Sequence, residues 1–196
     1  MKKLVMPGEL SNRVPPGQTL TDKFPVLSFG ATPRFNPDKW DFRVVGLIEK
    51  PLLFNYQQFR ALPQTKQVAD FHCVTTWSRL DNVWEGLAVK DLMAMVKLAP
   101  SVSHVIIHCD GGYTTNLPAE DVTGGKAWVA FGYDGQPLEP EHGGPARLLV
   151  PHLYFWKSAK WVRGLELRDY DAPGFWESYG YHMYGDPWKQ QRYAGD

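Results

Sequence analysis

Cysteine is scarce in this chain of 196 residues, which contains only Cys73 and Cys109. Two thiols are too few for the clusters of four Cys or Cys and His ligands that hold structural zinc. A disulfide between the two cysteines is geometrically possible, but no sequence pattern supports one. Each thiol is therefore considered by itself, as a small buried hydrophobe, a nucleophile or a soft metal ligand.

The sequence also lacks an excess of charge and a long apolar run. Its 21 basic residues balance 21 acidic residues, so no basic stripe of the kind that nucleic acid requires is expected. No stretch approaches the roughly 18 apolar residues that cross a membrane. Residues 1–8 include two lysines but reach proline and glycine before any apolar core of a signal peptide. These absences predict a soluble, cytoplasmic protein without a nucleic-acid or membrane partner.

Aromatic residues are abundant, at 14% of the chain with eight tryptophans. Many of them follow Tyr154 among glycines and prolines, a pattern typical of a walled pocket rather than of a plain helical core. The length favours a single core. We predict an extended arm over residues 1–38, docked through the apolar segment 24–29, and one domain over residues 39–196.

The hydrophobic periodicity predicts several strands and a few short helices. Alternating or continuous apolar segments predict strands at 40–44, 67–71, 104–109, 113–117, 128–133, 147–150 and 161–167. Asn55 is a suitable N-cap for a helix over 56–62, and Leu92, Met93 and Val96 mark the core-facing side of a helix over 88–98. Strands joined by short helices and irregular loops are typical of an α+β fold with a mixed sheet.

Cys73 follows the strand predicted at 67–71 and opens a loop of aromatic and small polar residues that reaches residue 86. A thiolate in such a loop is a candidate metal ligand or nucleophile, whereas the simpler interpretation is a buried apolar side chain. A cysteine hydrolase would need His72 or His108 as its base. Adjacent residues of a strand point to opposite faces, which makes His72 a poor partner for Cys73 unless the backbone there is a loop.

A second informative stretch, residues 141–151, places His142 and Arg147 on either side of Gly-Gly-Pro. A stiff turn of this kind directs an imidazole and a guanidinium towards one volume, and glycine lets backbone amides approach a ligand. The Lys-Ser-Ala-Lys stretch at 157–160 adds a hydroxyl and an ammonium group. Together they indicate a phosphate-binding cradle, although an arginine at the start of a strand is more often a surface ion-pair partner.

A third stretch, residues 174–188, combines dense aromatic residues with glycine. This composition is typical of a pocket lip with phenolic hydrogen-bond donors. Core packing or a dimer contact is the alternative, and we prefer it for Phe175 and Trp188.

The sequence resembles one known family at three places. Cys-Val-Thr-Thr-Trp-Ser at 73–78 with Trp-Glu-Gly at 84–86, His-Gly-Gly-Pro-Ala-Arg-Leu-Leu-Val-Pro at 142–151 and Lys-Ser-Ala-Lys-Trp at 157–161 come in the same order as in the sulfite-oxidase-type molybdopterin domain. The resemblance spans roughly residues 24–188. It looks closest to the short, stand-alone sulfite-oxidase-like oxidoreductases related to the catalytic subunit of bacterial methionine-sulfoxide reductase. It implies a mixed-sheet α+β domain that binds one molybdenum cofactor (Mo-molybdopterin).

The resemblance also implies roles for individual residues. Cys73 matches the cysteine whose thiolate ligates molybdenum, and Tyr181 is spaced like the active-site tyrosine. The remaining matches are contacts to the cofactor, with the phosphate near His142, Arg147, Ser158 and Lys160, and the pterin near Asp110. Ser78 stands where animal sulfite oxidases grip their dianionic substrate with arginine, so sulfite is not the expected substrate.

We therefore predict a cytoplasmic molybdenum oxidoreductase that moves an oxygen atom to or from a small substrate. No haem domain accompanies the motifs, which predicts a separate electron-transfer partner protein. An alternative is a carrier or storage protein that holds the cofactor without catalysis. The metal-free cysteine hydrolase is the least favoured alternative.

Overall fold

The structure, a computed structural model, describes residues 12–196. Its strands, in chain order, are β1 (Thr19–Leu20), β2 (Asp41–Gly46), β3 (Leu52–Asn55), β4 (Thr65–His72), β5 (Trp77–Ala88), β6 (His104–Cys109), β7 (Thr114–Pro118), β8 (Trp128–Tyr133), β9 (Gln136–Pro137), β10 (Arg147–Leu149) and β11 (Val162–Arg168). The helices are short and are α1 (Tyr56–Arg60), α2 (Val89–Met93), α3 (Ala119–Thr123) and α4 (Phe175–Ser178), with 3₁₀ turns at Asp110–Gly112 and Pro140–His142.

The strands form two sheets. In the first sheet the order β1-β5-β8-β10 is extended by β4, which pairs with β5, and by β9, which pairs with β8. In the second sheet the order is β3-β2-β11-β6-β7. The pairs β1/β5 and β2/β11 are parallel, while the other pairs are antiparallel, so both sheets are mixed. The predicted α+β class with a mixed sheet is confirmed.

The main core is built from alternate residues of strands in both sheets. Val105 and Ile107 of β6 belong to it, as do Val129 and Phe131 of β8. Because side chains alternate along a strand, Ala130 points to the opposite face of the first sheet. There a second buried cluster forms, which includes the side chains of Phe71, Trp84 and Leu149.

The arm runs along the first sheet where the structure describes it. Its strand β1 pairs with the start of β5, and Phe24 packs on Phe71 with ring centroids 5.1 Å apart. Val26, Leu27 and Phe29 of the same segment are 43%, 52% and 65% exposed, although the ring of Phe29 still contacts that of Phe175 with centroids 4.5 Å apart. Residues 1–11 of the predicted arm lie outside the described residues.

Two predicted elements differ from the structure. Residues 77–86, predicted as part of a loop, belong to the long strand β5, which pairs with β1, β4 and β8. Asp81 lies within this strand with a φ of 56°, at the point where the pairing of β5 with β4 shifts its register. The chain does not turn back there. The helix predicted over 88–98 ends at Met93, because the chain beyond it pairs with the end of β2, where Ala99 N–H donates to Leu47 O at 3.0 Å.

Other predicted elements are confirmed. Strands β6 and β8 coincide with their predicted ranges. Asn55 caps α1, since its side chain accepts from Gln58 N–H at 2.9 Å while Gln58 Oε1 accepts from Asn55 N–H at 2.9 Å. Within residues 12–196, no helix has the length and apolar character needed to cross a membrane.

Candidate active site

A cavity of about 490 Å³ is lined by arm residues between 24 and 31, the turns after β4 and β6, and the aromatic segment around α4. A cavity of this size suits a cofactor or another small molecule. Most of the side chains singled out in the sequence lie on its wall, namely Cys73, Asp110, Arg147, Ser158, Lys160 and Tyr181. His142 is not on the wall, and its ring stacks on Phe24 with centroids 3.9 Å apart.

Cys73 begins the turn that joins β4 to β5. Its N–H donates to Trp77 O at 2.8 Å and its carbonyl accepts from Thr76 N–H at 3.1 Å, which closes a tight turn over residues 73–76. The Sγ atom lies 3.1 Å from Oγ1 of Thr75. Burial raises the pKa of Cys73, and hydrogen bonds from Thr75 oppose this shift. A metal ion that coordinates such a thiol displaces its proton.

Histidine does not activate the Cys73 thiol in this arrangement. His72 Nδ1 lies 2.8 Å from Ser78 Oγ, and burial lowers the pKa of His72 to about 4. His108 Nε2 lies 2.7 Å from Glu166 Oε2, across two strands of the second sheet. Neither imidazole bonds to Sγ within the part of the chain that the structure describes, so no Cys–His nucleophile pair is assembled.

Arg147 is buried at the start of β10, with 1% of its surface exposed. Its Nη1 donates to His142 O at 2.8 Å and its Nη2 to Ser158 O at 2.7 Å, while Nε has no partner among residues 12–196. The guanidinium lies 4.2 Å from the ring centroid of Phe155. Burial lowers the pKa of Arg147, although a guanidinium keeps its proton in proteins. Because both acceptors are neutral carbonyls, a positive charge remains uncompensated beside the cavity.

Lys160 adds a second cation to the same wall. Its Nζ donates to Ser28 Oγ at 2.7 Å and to Glu141 O at 2.6 Å. The pKa of Lys160 is lowered to about 8, mainly by burial and to a smaller extent by the charge of Arg147. Burial, with the charges of Arg147 and Lys160, also lowers the pKa of His142, whose imidazole is neutral at pH 7. An anion bound here would relieve the repulsion between the two cations.

Ser158 and Asp110 line the cavity, and one oxygen of each accepts a hydrogen bond from within the protein. Ser158 Oγ accepts from Val150 N–H at 2.9 Å, and Asp110 Oδ1 accepts from Arg163 Nη1 at 2.7 Å. The Asp110 turn offers open backbone instead, because glycines 111 and 112 have φ of 78° and 81° and no atom lies within 4 Å of a Cβ position. Backbone amides exposed in such a turn bind anionic or polar ligand groups.

Tyr181 belongs to an aromatic wall. Its ring stacks on Trp176, with centroids 5.1 Å apart at 22°, and meets Trp156 edge to face at 5.1 Å and 83°. Burial raises the pKa of Tyr181, and the neighbouring Tyr193 and Cys73 raise it further. The phenol lines the same cavity as the Cys73 thiol and is a hydrogen-bond donor at neutral pH.

The sequence analysis missed the support behind this aromatic wall. Lys157 and Glu177 are completely buried and form an ion pair of 2.7 Å. Glu177 Oε1 also accepts from Trp156 Nε1 at 2.9 Å and from Thr115 Oγ1 at 2.8 Å. The Lys157 ammonium donates to Asn116 Oδ1 at 2.7 Å, so it serves this network and Lys160 supplies the cation at the cavity. No local pattern marks Glu177, because its partners come from other elements.

Comparisons with known proteins all identify oxidoreductases as similar to this chain. The family model described as oxidoreductase molybdopterin-binding domain matches residues 29–176. The chain is 46% identical to the uncharacterized oxidoreductase YuiH of Bacillus subtilis over 187 residues, which cover 95% of this chain and 94% of that relative. It is 28% identical to the protein-methionine-sulfoxide reductase catalytic subunit MsrP of Campylobacter jejuni over 182 residues, which cover 84% of this chain and 60% of that relative.

A solved structure has the same fold. The sulfane dehydrogenase SoxCD from Paracoccus pantotrophus superposes with a TM-score of 0.64 at 23% sequence identity. The superposition covers 71% of this chain and 40% of that chain.

Proposed function

The chain belongs to the oxidoreductase molybdopterin-binding domain family, and from this premise we propose that it transfers an oxygen atom to or from a small substrate, with Cys73 as a thiolate ligand of molybdenum. Membership identifies it as an oxidoreductase that uses the molybdenum cofactor. When bound, this cofactor supplies a metal centre that exchanges an oxygen atom with the substrate while its oxidation state changes by two electrons.

The observation that carries the proposal is the uncompensated charge of Arg147 in the same cavity as the Cys73 thiol. Arg147 Nε is buried without a partner among the described residues, and Lys160 Nζ stands on the same wall. A phosphate group accepts charge-assisted hydrogen bonds from both cations and neutralises them. Cys73 offers the soft sulfur donor that a sulfur-rich metal site requires. The residues present therefore fit a cofactor that carries both a phosphate and a thiophilic metal.

The other side chains of the cavity have distinct tasks in this proposal. Ser158 and His142 fix the backbone and the packing around Arg147, whose cation retains the phosphate. The Asp110 turn contacts the pterin through its open backbone. Tyr181 donates a hydrogen bond from its protonated phenol to the oxygen of the substrate.

The charges on the wall favour a neutral substrate. Among the described residues that line the cavity, the cationic side chains are Arg147 and Lys160, and the cofactor phosphate neutralises them. Tyr181 is instead flanked by Trp156 and Trp176, where desolvating a dianion such as sulfite is costly. We propose a small S-oxide, the functional group named in the methionine-sulfoxide reductase relatives.

Two further parts of the hypothesis concern the cell. The name of the Campylobacter jejuni relative describes a catalytic subunit, which supports a separate partner protein that exchanges electrons. A cytoplasmic location stays a prediction. Fractionation of cells followed by immunodetection tests it, and recovery of the protein in the membrane or secreted fraction would contradict it.

Metal and pterin analysis tests the proposal on protein purified from a host that makes the cofactor. The wild-type protein is expected to hold near-stoichiometric molybdenum and pterin, and to reduce small sulfoxides with a reduced viologen dye as electron donor. Cys73→Ala should lose turnover, whereas Cys109→Ala, which removes the other thiol in β6, should keep it. An active Cys73→Ala protein would overturn the assigned ligand. Stoichiometric cofactor without turnover on a broad substrate panel would favour the carrier alternative.

A further inference from the structure

Residues 190–196 touch the turn that begins with Cys73. This segment lies beyond residues 29–176, which the family model matches. Arg192 Nη1 donates to Val74 O at 2.9 Å, inside the turn over residues 73–76. The guanidinium is held in place by the ring of Tyr154, whose centroid lies 4.9 Å away.

The same segment is paired with the backbone around Tyr181. Arg192 O accepts from His182 N–H at 3.1 Å, and an antiparallel bridge sets Tyr181 opposite Tyr193. The rings of Tyr181 and Tyr193 meet edge to face, with centroids 5.7 Å apart. Arg192 therefore holds the Cys73 turn with its side chain and the Tyr181 segment with its backbone.

Asp196 stabilises the backbone of Arg192 without touching the Cys73 turn. Its Oδ2 accepts from the backbone N–H of Arg192 at 2.8 Å and of Tyr193 at 2.7 Å. Those bonds fix the backbone from which the Arg192 side chain extends. None of the side-chain hydrogen bonds of Asp196 within residues 12–196 reaches the Cys73 turn itself.

We propose that Arg192 is a positioning residue that sets the Cys73 thiol relative to the Tyr181 phenol. One residue connects the two segments, so a displacement of either segment is transmitted to the other. The catalytic consequence rests on the proposed function, because the two side chains act together only if Cys73 binds the metal and Tyr181 binds the substrate. The mechanical coupling rests on the contacts alone.

The Cys73 turn has other supports, which make this proposal testable. Gln18 Nε2 donates to Cys73 O at 3.1 Å, and Thr19 N–H donates to Thr76 O at 2.9 Å. Arg192 is not a partner in either of these bonds. Loss of the Arg192 side chain should therefore loosen the turn without unfolding it.

Hydrogen–deuterium exchange on the cofactor-free protein tests the coupling. Arg192→Gln is expected to speed exchange roughly tenfold in peptides covering 73–77 and 180–184, the size expected when a hydrogen bond to a charged group is lost. Peptides from β6 should not change. Asp196→Ala should loosen residues 73–77 in the same direction, although it touches none of them.

Two variants serve as controls in that experiment. Lys189→Gln removes a 70% exposed cation from the neighbouring chain and should leave exchange at 73–77 and 180–184 unchanged. Arg192→Lys keeps a cationic hydrogen-bond donor but lacks the planar guanidinium, so it should restore part of the protection. Unchanged exchange at 73–77 in Arg192→Gln would overturn the proposal.

The loaded enzyme tests the catalytic consequence. Arg192→Gln is expected to keep its molybdenum, to alter the Mo(V) electron paramagnetic resonance spectrum, and to lower kcat with little change in KM. Arg192→Lys should recover part of kcat. A wild-type spectrum and full kcat in Arg192→Gln would contradict the positioning role. Wild-type protein that binds no molybdenum would defeat the proposed function instead, and the exchange data would then decide the coupling by themselves.

Discussion

Arg147 keeps a positive charge where water is excluded, and its two acceptors, the carbonyls of His142 and Ser158, carry no charge. A buried charge without a counter-charge is costly for a folded chain. The arrangement makes physical sense when a ligand supplies the missing negative charge. If the proposed phosphate site is right, Arg147 links the stability of the folded chain to cofactor binding.

Arg147→Met tests this link at the level of one residue. The substitution removes the charge at similar volume, so we expect at least a tenfold lower content of molybdenum and pterin in the purified protein. Arg43→Gln is the matched control, because Arg43 is exposed and pairs with Asp41 on a strand that does not line the cavity. Equal cofactor content in Arg147→Met and wild type would contradict the assigned phosphate site.

Lys160 predicts a pH dependence of cofactor retention. The pKa of Lys160 is about 8 in the chain without ligand, so the ammonium is charged below pH 8 and becomes neutral above it. A bound phosphate raises this pKa, and loss of cofactor should therefore begin above pH 8 rather than at it. Molybdenum retained after dialysis at a series of pH values measures the effect. Lys160→Arg keeps its charge and should flatten the profile, whereas a flat wild-type profile up to pH 10 would refute the assignment.

At the scale of elements, α4 is anchored to the sheet by the buried pair of Lys157 and Glu177. Glu177→Gln leaves the ammonium without its counter-charge, so we expect the free energy of unfolding to fall by about 3 kcal/mol in urea denaturation. Glu49→Gln breaks the exposed pair with Lys97 and should change it by less than about 1 kcal/mol. Lys157→Met combined with Glu177→Gln should recover part of the loss. Equal losses of unfolding free energy in Glu177→Gln and Glu49→Gln would argue against the anchoring role of the buried pair.

The elements also show where sequence patterns succeed and where they fail. Strands β6 and β8 have uninterrupted apolar patterns, and their predicted ranges coincide with the structure. Strand β5 was missed because its mixture of aromatic and small polar residues was interpreted as a loop, and the pairing with β1, β4 and β8 that makes it a strand involves distant parts of the chain. The helix after it was predicted too long, because local periodicity does not contain the pairing of residues 97–99 with 47–49.

At the scale of the whole molecule, some residues of the candidate site could be predicted from the sequence and others could not. Cys73, Arg147 and Lys160 stand in short motifs and were found from the sequence. The two side-chain bonds that hold the Cys73 turn join residues far apart in the chain, since Gln18 and Cys73 are 55 positions apart and Arg192 and Val74 are 118 positions apart. The local sequence around Gln18 or Arg192 does not indicate such a partner, because a polar side chain at either position is equally consistent with an exposed surface residue.

The whole molecule should also be more stable with its cofactor. Binding only to the folded state at a thousandfold excess over Kd adds about 4 kcal/mol, which for a chain of this size raises Tm by about 10 °C. Differential scanning fluorimetry of loaded and cofactor-free protein measures the gap. The gap should shrink in Arg147→Met, which is expected to bind the cofactor more weakly. Identical Tm values for the two wild-type forms would be inconsistent with a cofactor seated in the cavity.

The double support of the Cys73 turn has a consequence for biosynthesis. Gln18 reaches this turn from an early part of the chain and Arg192 from a late one. Gln18, Thr19 and Cys73 leave the ribosome long before Arg192, so during translation the bonds from Gln18 and Thr19 can form before the bond from Arg192. The bond from Arg192 forms only after the chain has grown by 118 residues beyond Val74. This order favours insertion of the cofactor into the finished protein over insertion into a nascent chain.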